Sequence, residues 1–178
     1  LLADASLYVD DYRASERTFA MLTQVIGRAG RGDTPGRAII QTNNPDNDVI
    51  TLACAQDYHT FFEREIKLRR LLTFPPYCDI VLLTLTCADE KELMKASKVL
   101  SDTLRELCRG AYAGVPIELF GPFEAPVYRV DNRYRMRMVI KCVLNRPTLG
   151  MFAEVLCKFY ERTTRKLTLN LDFNPSNL

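Results

Sequence analysis

The stretch Arg133-Tyr134-Arg135-Met136-Arg137-Met138-Val139-Ile140-Lys141-Cys142 sets cations against apolar side chains at nearly every second position. Side chains on a strand alternate between faces with period two. Met136, Met138, Ile140 and Cys142 therefore share one face, and Arg133, Arg135, Arg137 and Lys141 share the other. A helix would mix the two sets and bury charge without partners. The stretch reads as one strand of a sheet with a single covered face, which calls for helices gathered on the apolar side.

The flanking segments supply those helices. Residues 80–87 form a strand with Val81, Leu83 and Leu85 on one face. Asp89 caps a long helix, with Glu92 three residues on in a capping-box arrangement. Leu93, Ala96, Leu100, Leu104 and Leu107 make its apolar stripe, and Gly110 ends it. Residues 117–120 open a second strand, Gly121-Pro122 bends it, and 127–129 continue it. Asp131-Asn132 is a hairpin turn, followed by a strand over 133–143. Asn145 or Arg146 precedes Pro147 at the start of a helix that aligns Leu149, Phe152, Leu156 and Phe159. Leu167, Leu169, Leu171 and Phe173 alternate along a last strand. The order β-α-β-β-α-β is the ferredoxin-like split arrangement, an α+β domain over 77–178.

The first 76 residues read differently. Residues 1–3 could finish a buried strand, and a helix over 13–28 gathers Phe19, Leu22, Val25 and Ile26. A turn over 32–36 leads to a short apolar strand at 38–40. Asn44-Pro45 offers an N-cap with proline in the first turn, and the helix behind it turns Val49, Leu52 and Ala53 inward. A further helix over 58–72 places Tyr58, Phe62, Ile66 and Leu72 broadly on one side. Its Glu63–Lys67 and Glu65–Arg69 pairs support an exposed face. Thr73-Phe74-Pro75-Pro76-Tyr77 stops it and marks a domain boundary. Three regions result: the end of an α/β unit over 1–50, connecting helices over 51–76, and the terminal domain. Leu1-Leu2-Ala3-Asp4 has no initiator methionine and reads as a strand interior, so a larger parent protein is expected.

A chain of 178 residues with 47% hydrophobic and 26% charged content is an ordinary globular protein. Its formal net charge of +2 is too small to argue for nucleic acid, so that case rests on local clustering. The six cysteines are scattered with no C-x-x-C pair, and His59 is the single histidine. That argues against a metal site and for reduced core thiols in a cytoplasmic protein. His59 reads as a surface or packing residue. There is no apolar run of membrane-spanning length and no signal peptide.

Gln24-Val25-Ile26-Gly27-Arg28-Ala29-Gly30-Arg31 carries the chemistry of the front half. Two arginines three residues apart can present guanidinium forks to a phosphate chain, with glycines allowing tight turning and close approach. The same residues can also simply complement a helix C-terminus. The pattern Q-x-x-G-R-x-G-R resembles the last conserved motif of superfamily-two helicases. With Leu2-Ala3-Asp4, Asp11-Tyr12-Arg13-Ala14-Ser15-Glu16-Arg17 and Leu22-Thr23-Gln24, the chain resembles the PriA family of replication-restart DNA helicases. Asp57-Tyr58, Phe61, Glu65, Arg69 and Pro75-Pro76-Tyr77 continue the likeness. So do Gly121-Pro122, Arg133-Tyr134-Arg135 and Asp172-Phe173-Asn174-Pro175, where Asn174 replaces the family's usual second Asp.

The resemblance implies that residues 1–50 end a second RecA-like motor lobe of an ATP-driven, 3′-to-5′ helicase. By it Arg28 and Arg31 are catalytic, reaching the ATP γ-phosphate, while Gln24, Gly27 and Gly30 couple nucleotide state to the lobe. It also implies ATP and Mg²⁺, a zinc region upstream, and branched or single-stranded DNA, single-strand-binding protein and primosome proteins as partners. No phosphate loop and no acidic Mg²⁺ motif occur in this segment, so alone it should be inactive. Arg133, Arg135, Arg137 and Lys141, joined by Arg129, are the candidate DNA- or partner-binding face, for DNA phosphates or an acidic peptide tail. The bland reading of that face is solvation or packing. An RNA-recognition-motif reading is weak, because the central-strand positions that would carry aromatics hold cations. The alternative to a helicase part is a non-enzymatic DNA- or protein-binding adaptor with a vestigial helicase-like front.

Overall fold

The computed structural model describes residues 4–29, 37–164 and 166–178. The chain divides into two compact units, Leu1–Leu72 with Asn177–Leu178, and Thr73–Ser176.

In the second unit, alternation along the strands meets the stripes of two helices. The elements are β1 (Asp79–Cys87), α5 (Glu90–Arg109), β2 (Ile117–Val130), β3 (Arg133–Cys142), α6 (Arg146–Arg162) and β4 (Thr168–Phe173). The sheet order is β2-β3-β1-β4, antiparallel at each junction. This is the ferredoxin-like order. Val81, Leu83 and Leu85 of β1 and Met136, Met138 and Ile140 of β3 face Leu93, Leu100 and Leu104 of α5 and Phe152, Val155 and Phe159 of α6. Each side chain so buried contributes about 1.5–3 kcal/mol relative to exposure.

Local chemistry sets the ends of these elements. Asp89 accepts the Glu92 N–H at 3.0 Å. The expected capping box is only half made, because the Glu92 carboxylate accepts from the Thr164 hydroxyl instead. Asn145 caps α6 through the Thr148 N–H at 3.0 Å. The hairpin between β2 and β3 turns on Asp131 and Asn132, both at positive φ (50° and 57°), as residues whose short polar side chains tolerate that region do. Asn174, also at positive φ, exchanges hydrogen bonds with the Ile80 backbone and donates from Nδ2 to Asp79 Oδ1 at 2.9 Å. A carboxylate at 174 would set like charges against each other there, which accounts for the amide at this position.

Two expectations for this unit are corrected. Leu149 is half exposed rather than part of the α6 stripe, whose inward residues are Met151, Phe152, Val155 and Phe159. β2 is, as expected, one interrupted strand, 14 residues long, absorbing its irregularities as register shifts between Phe120 and Phe123 and between Glu124 and Arg129. It is an edge strand and carries Pro122 and Pro126, as proline within a sheet requires. Of the six free thiols only Cys87 and Cys142 are buried, while Cys54 and Cys157 are exposed.

The described residues of the first unit are helical: α1 (Asp4–Leu7), α2 (Ala14–Ala29), α3 (Asp48–Cys54) and α4 (Tyr58–Leu71). Phe19 and Leu22 of α2 meet Ile50 and Ala53 of α3 and Phe61 of α4. The Phe19 and Phe61 rings stack at 4.2 Å. The expected strand at 1–3 lies outside the described residues. The expected strand at 38–40 is irregular backbone with Ile39 76% exposed. The N-cap is Asn47, not Asn44, which lies in the preceding turn. Val25 is exposed rather than inward.

The inward face of α4 is also not the one expected. Tyr58, Phe62 and Leu72 are exposed, and Phe61 is buried. Glu65 and Arg69, expected on the solvent face, keep only 13% and 14% of their side chains exposed. The Arg69 guanidinium bonds Glu65 at 2.9 Å and Glu16 at 2.7 Å and lies over the Tyr12 ring. Mutual neutralisation is what lets this row of α4 turn inward. Among the described residues no helix is long and apolar enough to cross a membrane.

Candidate nucleic-acid interface

Both helices cover one face of the sheet, so the residues of opposite parity line the other. On β3 these are Arg133, Arg135, Arg137, Val139 and Lys141. Arg135 stands opposite Thr86 of β1, Arg137 opposite Thr84, Val139 opposite Leu82 and Lys141 opposite Ile80. On the far side of β1, Thr168 and Asn170 of β4 stand opposite Thr86 and Thr84. Around Arg135 and Arg137 the neighbours across β1 and β4 are thus uncharged. The two acids of this face lie toward its other end, with Asp172 opposite Leu82 and Glu118 of β2 opposite Lys141. Ile80 and Leu82 are buried, so along β1 the accessible part of the face is the half nearer the hairpin.

The cations are not equivalent. Arg133 is tied down, its Nη2 donating to the Thr86 and Lys166 carbonyls at 3.3 and 3.4 Å and to the Thr168 hydroxyl at 3.4 Å. Lys141 Nζ sits 3.9 Å from the Phe74 ring centroid and 5.4 Å from that of Phe120, a cation held by aromatic faces. The Arg137 Nε is buried without a hydrogen-bond partner. Burial, and then the charge of Arg135, hold its guanidinium below its ordinary pKa. Arg133, Arg135, Arg137 and Lys141 are all half-buried rather than fully exposed, as long basic stems lying along a sheet are.

Arg129 does not join this face. The two-residue hairpin pairs Val130 with Arg133 and Arg129 with Tyr134, so Arg129 shares the side of Tyr134, which packs against the core. Its guanidinium lies 5.0 Å from the Tyr134 ring centroid and bonds Asn132 at 3.1 Å. Sequence reasoning missed Phe123 and Phe120, which stand opposite Arg137 and Val139 on the open face. Each is 41% exposed. The bend at Gly121-Pro122 shifts the phase of the alternation, so parity carried through it misplaces them.

In the first unit, Gln24, Gly27 and Arg28 are exposed in the last two turns of α2. Gly30 and Arg31 lie outside the described residues. Gly27 is inside the helix rather than at a turn, and a methyl group there would meet nothing nearer than Gln56 Nε2 at 3.9 Å. Neither backbone conformation nor internal crowding demands glycine. Among the described residues no three His, Cys, Asp or Glu side chains gather as metal ligands.

Residues 70–176 match the family described as the primosomal protein N C-terminal domain. The replication restart protein PriA of Bacillus subtilis (strain 168) is 32% identical over 176 residues, covering 98% of this chain and 21% of its own. The protein of the same name from Synechocystis sp. is 37% identical over 139 residues, covering 78% and 16%. The chain thus spans about a fifth of the length of these curated relatives. A de novo designed protein with ferredoxin fold aligns at 13% identity with a TM-score of 0.38, over 55% of this chain and 86% of that one. The fold described above rests on strand order and register, independently of that likeness. With more than half of its length matched, the chain belongs to the PriA family through its primosomal protein N C-terminal domain.

Proposed function

We propose that this chain is a DNA-contacting C-terminal part of a replication-restart protein, and that the open sheet face of its second unit holds DNA phosphates. The observation that carries the reading is the pair Arg135 and Arg137. One guanidinium has a buried, unpartnered Nε, and it lies beside a second positive charge that adds to burial in lowering its pKa. An unmet donor and an unneutralised like charge both cost the fold free energy. A phosphate between the two heads supplies the opposite charge. The name shared by the relatives, replication restart protein, supports the setting.

In the intact protein the same reading makes the first unit the end of a RecA-like lobe in an ATP-driven, 3′-to-5′ DNA helicase. Arg28 and Arg31 stabilise charge on the γ-phosphate of ATP, and Gln24 and Gly30 serve that site. Gly27 supports the assignment. A helix-interior glycine costs roughly 0.5–1 kcal/mol relative to alanine, and its exposed position leaves room for close approach by a ligand from outside the unit. The Mg²⁺ ligands and the phosphate loop belong to other parts of that protein, and single-strand-binding protein and primosome proteins are its partners.

The test is a salt titration of fork-DNA binding by the full chain and by its Arg135→Gln/Arg137→Gln variant. Removing one phosphate-binding cation should flatten the slope of log affinity against log salt by about 0.7–0.9. A folded variant with the parent's slope and affinity removes DNA from this face. If that variant instead loses binding of a labelled acidic peptide, the face serves a protein tail.

A further inference from the structure

Phe120 and Phe123 are two large apolar rings, each 41% exposed, on the same face as Arg135 and Arg137. A solvent-facing sheet surface normally avoids such pairs, and exposed aromatic surface beside cations marks a contact. The rings stand opposite Val139 and Arg137, two register steps apart on β3. At the rise of an antiparallel strand that is about 7 Å, close to the spacing of successive nucleotides in an extended single strand.

Both rings are positioned. The backbone of Gly121, at φ 99°, passes so close to Phe123 that a Cβ there would lie 2.9 Å from Phe123 Cδ1 and 2.9 Å from the Arg137 carbonyl. The Cδ1–Cε1 side of the Phe123 ring therefore abuts a bare stretch of main chain. Phe120 is approached by the Lys141 ammonium at 5.4 Å. Cations alternate with rings along this strip: Lys141 beside Phe120, and Arg137 beside Phe123.

We propose that Phe120 and Phe123 are a stacking platform for two unpaired nucleobases, whose phosphates are held by Arg135 and Arg137. The inference rests on the DNA reading of the face and narrows its ligand to a single strand with splayed bases. A π-face accepts any base, so the platform selects unpaired over paired nucleic acid rather than one sequence over another. In a duplex the bases are already stacked on one another, and only the arginines would find a partner. The platform sits on the edge strand β2, one strand removed from the central-strand aromatics of the RNA-recognition motif.

The experiment compares binding of the full chain to three labelled probes: a thymidine oligomer, an abasic oligomer of the same length, and a blunt duplex. The parent should bind the thymidine oligomer more tightly than the abasic one. Phe120→Leu and Phe123→Leu should each remove on the order of tenfold from thymidine binding and leave abasic binding unchanged. Phe123→Tyr, which keeps a ring, should retain the preference. A thermal melt of each variant separates loss of stacking from loss of fold, and the Phe123→Tyr against Phe123→Leu comparison stands even if the double variant unfolds. Equal binding of both oligomers by the parent overturns the proposal, as does a folded Phe120→Leu/Phe123→Leu variant that keeps the preference. Arg135→Gln/Arg137→Gln should weaken all three probes alike. If it leaves abasic binding untouched, the phosphate reading fails, whatever the rings do.

Discussion

Arg137 shows what a single half-buried cation costs the fold. Its Nε is buried without an acceptor and its charge is opposed by Arg135. Arg137→Leu keeps the stem's contact with the sheet and removes both penalties. It should raise unfolding stability by about 1 kcal/mol while weakening DNA binding, measured by urea denaturation alongside a fork titration. A variant that is both less stable and unchanged in binding would make Arg137 a packing residue. The arginines of this face were legible from parity alone, because β3 alternates strictly from Arg135 to Cys142. Arg129 was misassigned, although the two-residue turn at Asp131-Asn132 already dictates that Val130 shares a face with Arg133. Arg31 and Gly30 lie outside the described residues, so their part of the motif rests on sequence.

At the scale of elements, sequence was informative wherever pattern, cap and stop agreed. Helix α5 has its stripe, Asp89 at its start and Gly110 at its end, and it forms as read. The triplet 38–40 is apolar but too short for alternation to say anything, and it forms no strand. On α4 a charged row looked like a solvent face, yet Glu16 lies far away in sequence and only the fold brings it to Arg69. The phase of β2 was lost at Gly121, the residue on which the strip of rings depends. Gly121→Ala meets both a positive φ and two atoms at 2.9 Å, and should cost about 1–3 kcal/mol. Chemical denaturation of the variant checks this, and an unchanged midpoint would show that β2 adjusts freely around that position.

At the scale of the whole molecule, two carboxyls of the first unit and a thiol of the second respond at opposite ends of the pH range. In the first, Asp4 accepts from the Thr42 hydroxyl at 2.7 Å and the Asn43 N–H at 3.0 Å, and Asp57 accepts from the Thr60 hydroxyl and N–H. These hydrogen bonds hold both carboxyls below their ordinary value of 3.8. Their contribution is complete above that value and is lost as pH falls through the lower folded pKa. In the second unit, burial pushes Cys142 from 9.0 up to about 11. Its unfolded thiol ionises first, so stability there declines as pH rises from about 9 toward about 11. Amide NMR spectra across pH should show the first unit losing dispersion first in acid and the second first in alkali. Simultaneous loss of both at each extreme would contradict that separation. The prolines of β2 act at this same scale. Two of the strand's fourteen residues have no N–H to give, so an incoming extended chain finds a broken ladder along that border of the sheet. Neighbouring copies are thereby kept from zipping together edge to edge, and recognition beside Phe120 and Phe123 is left to side chains rather than to main-chain pairing.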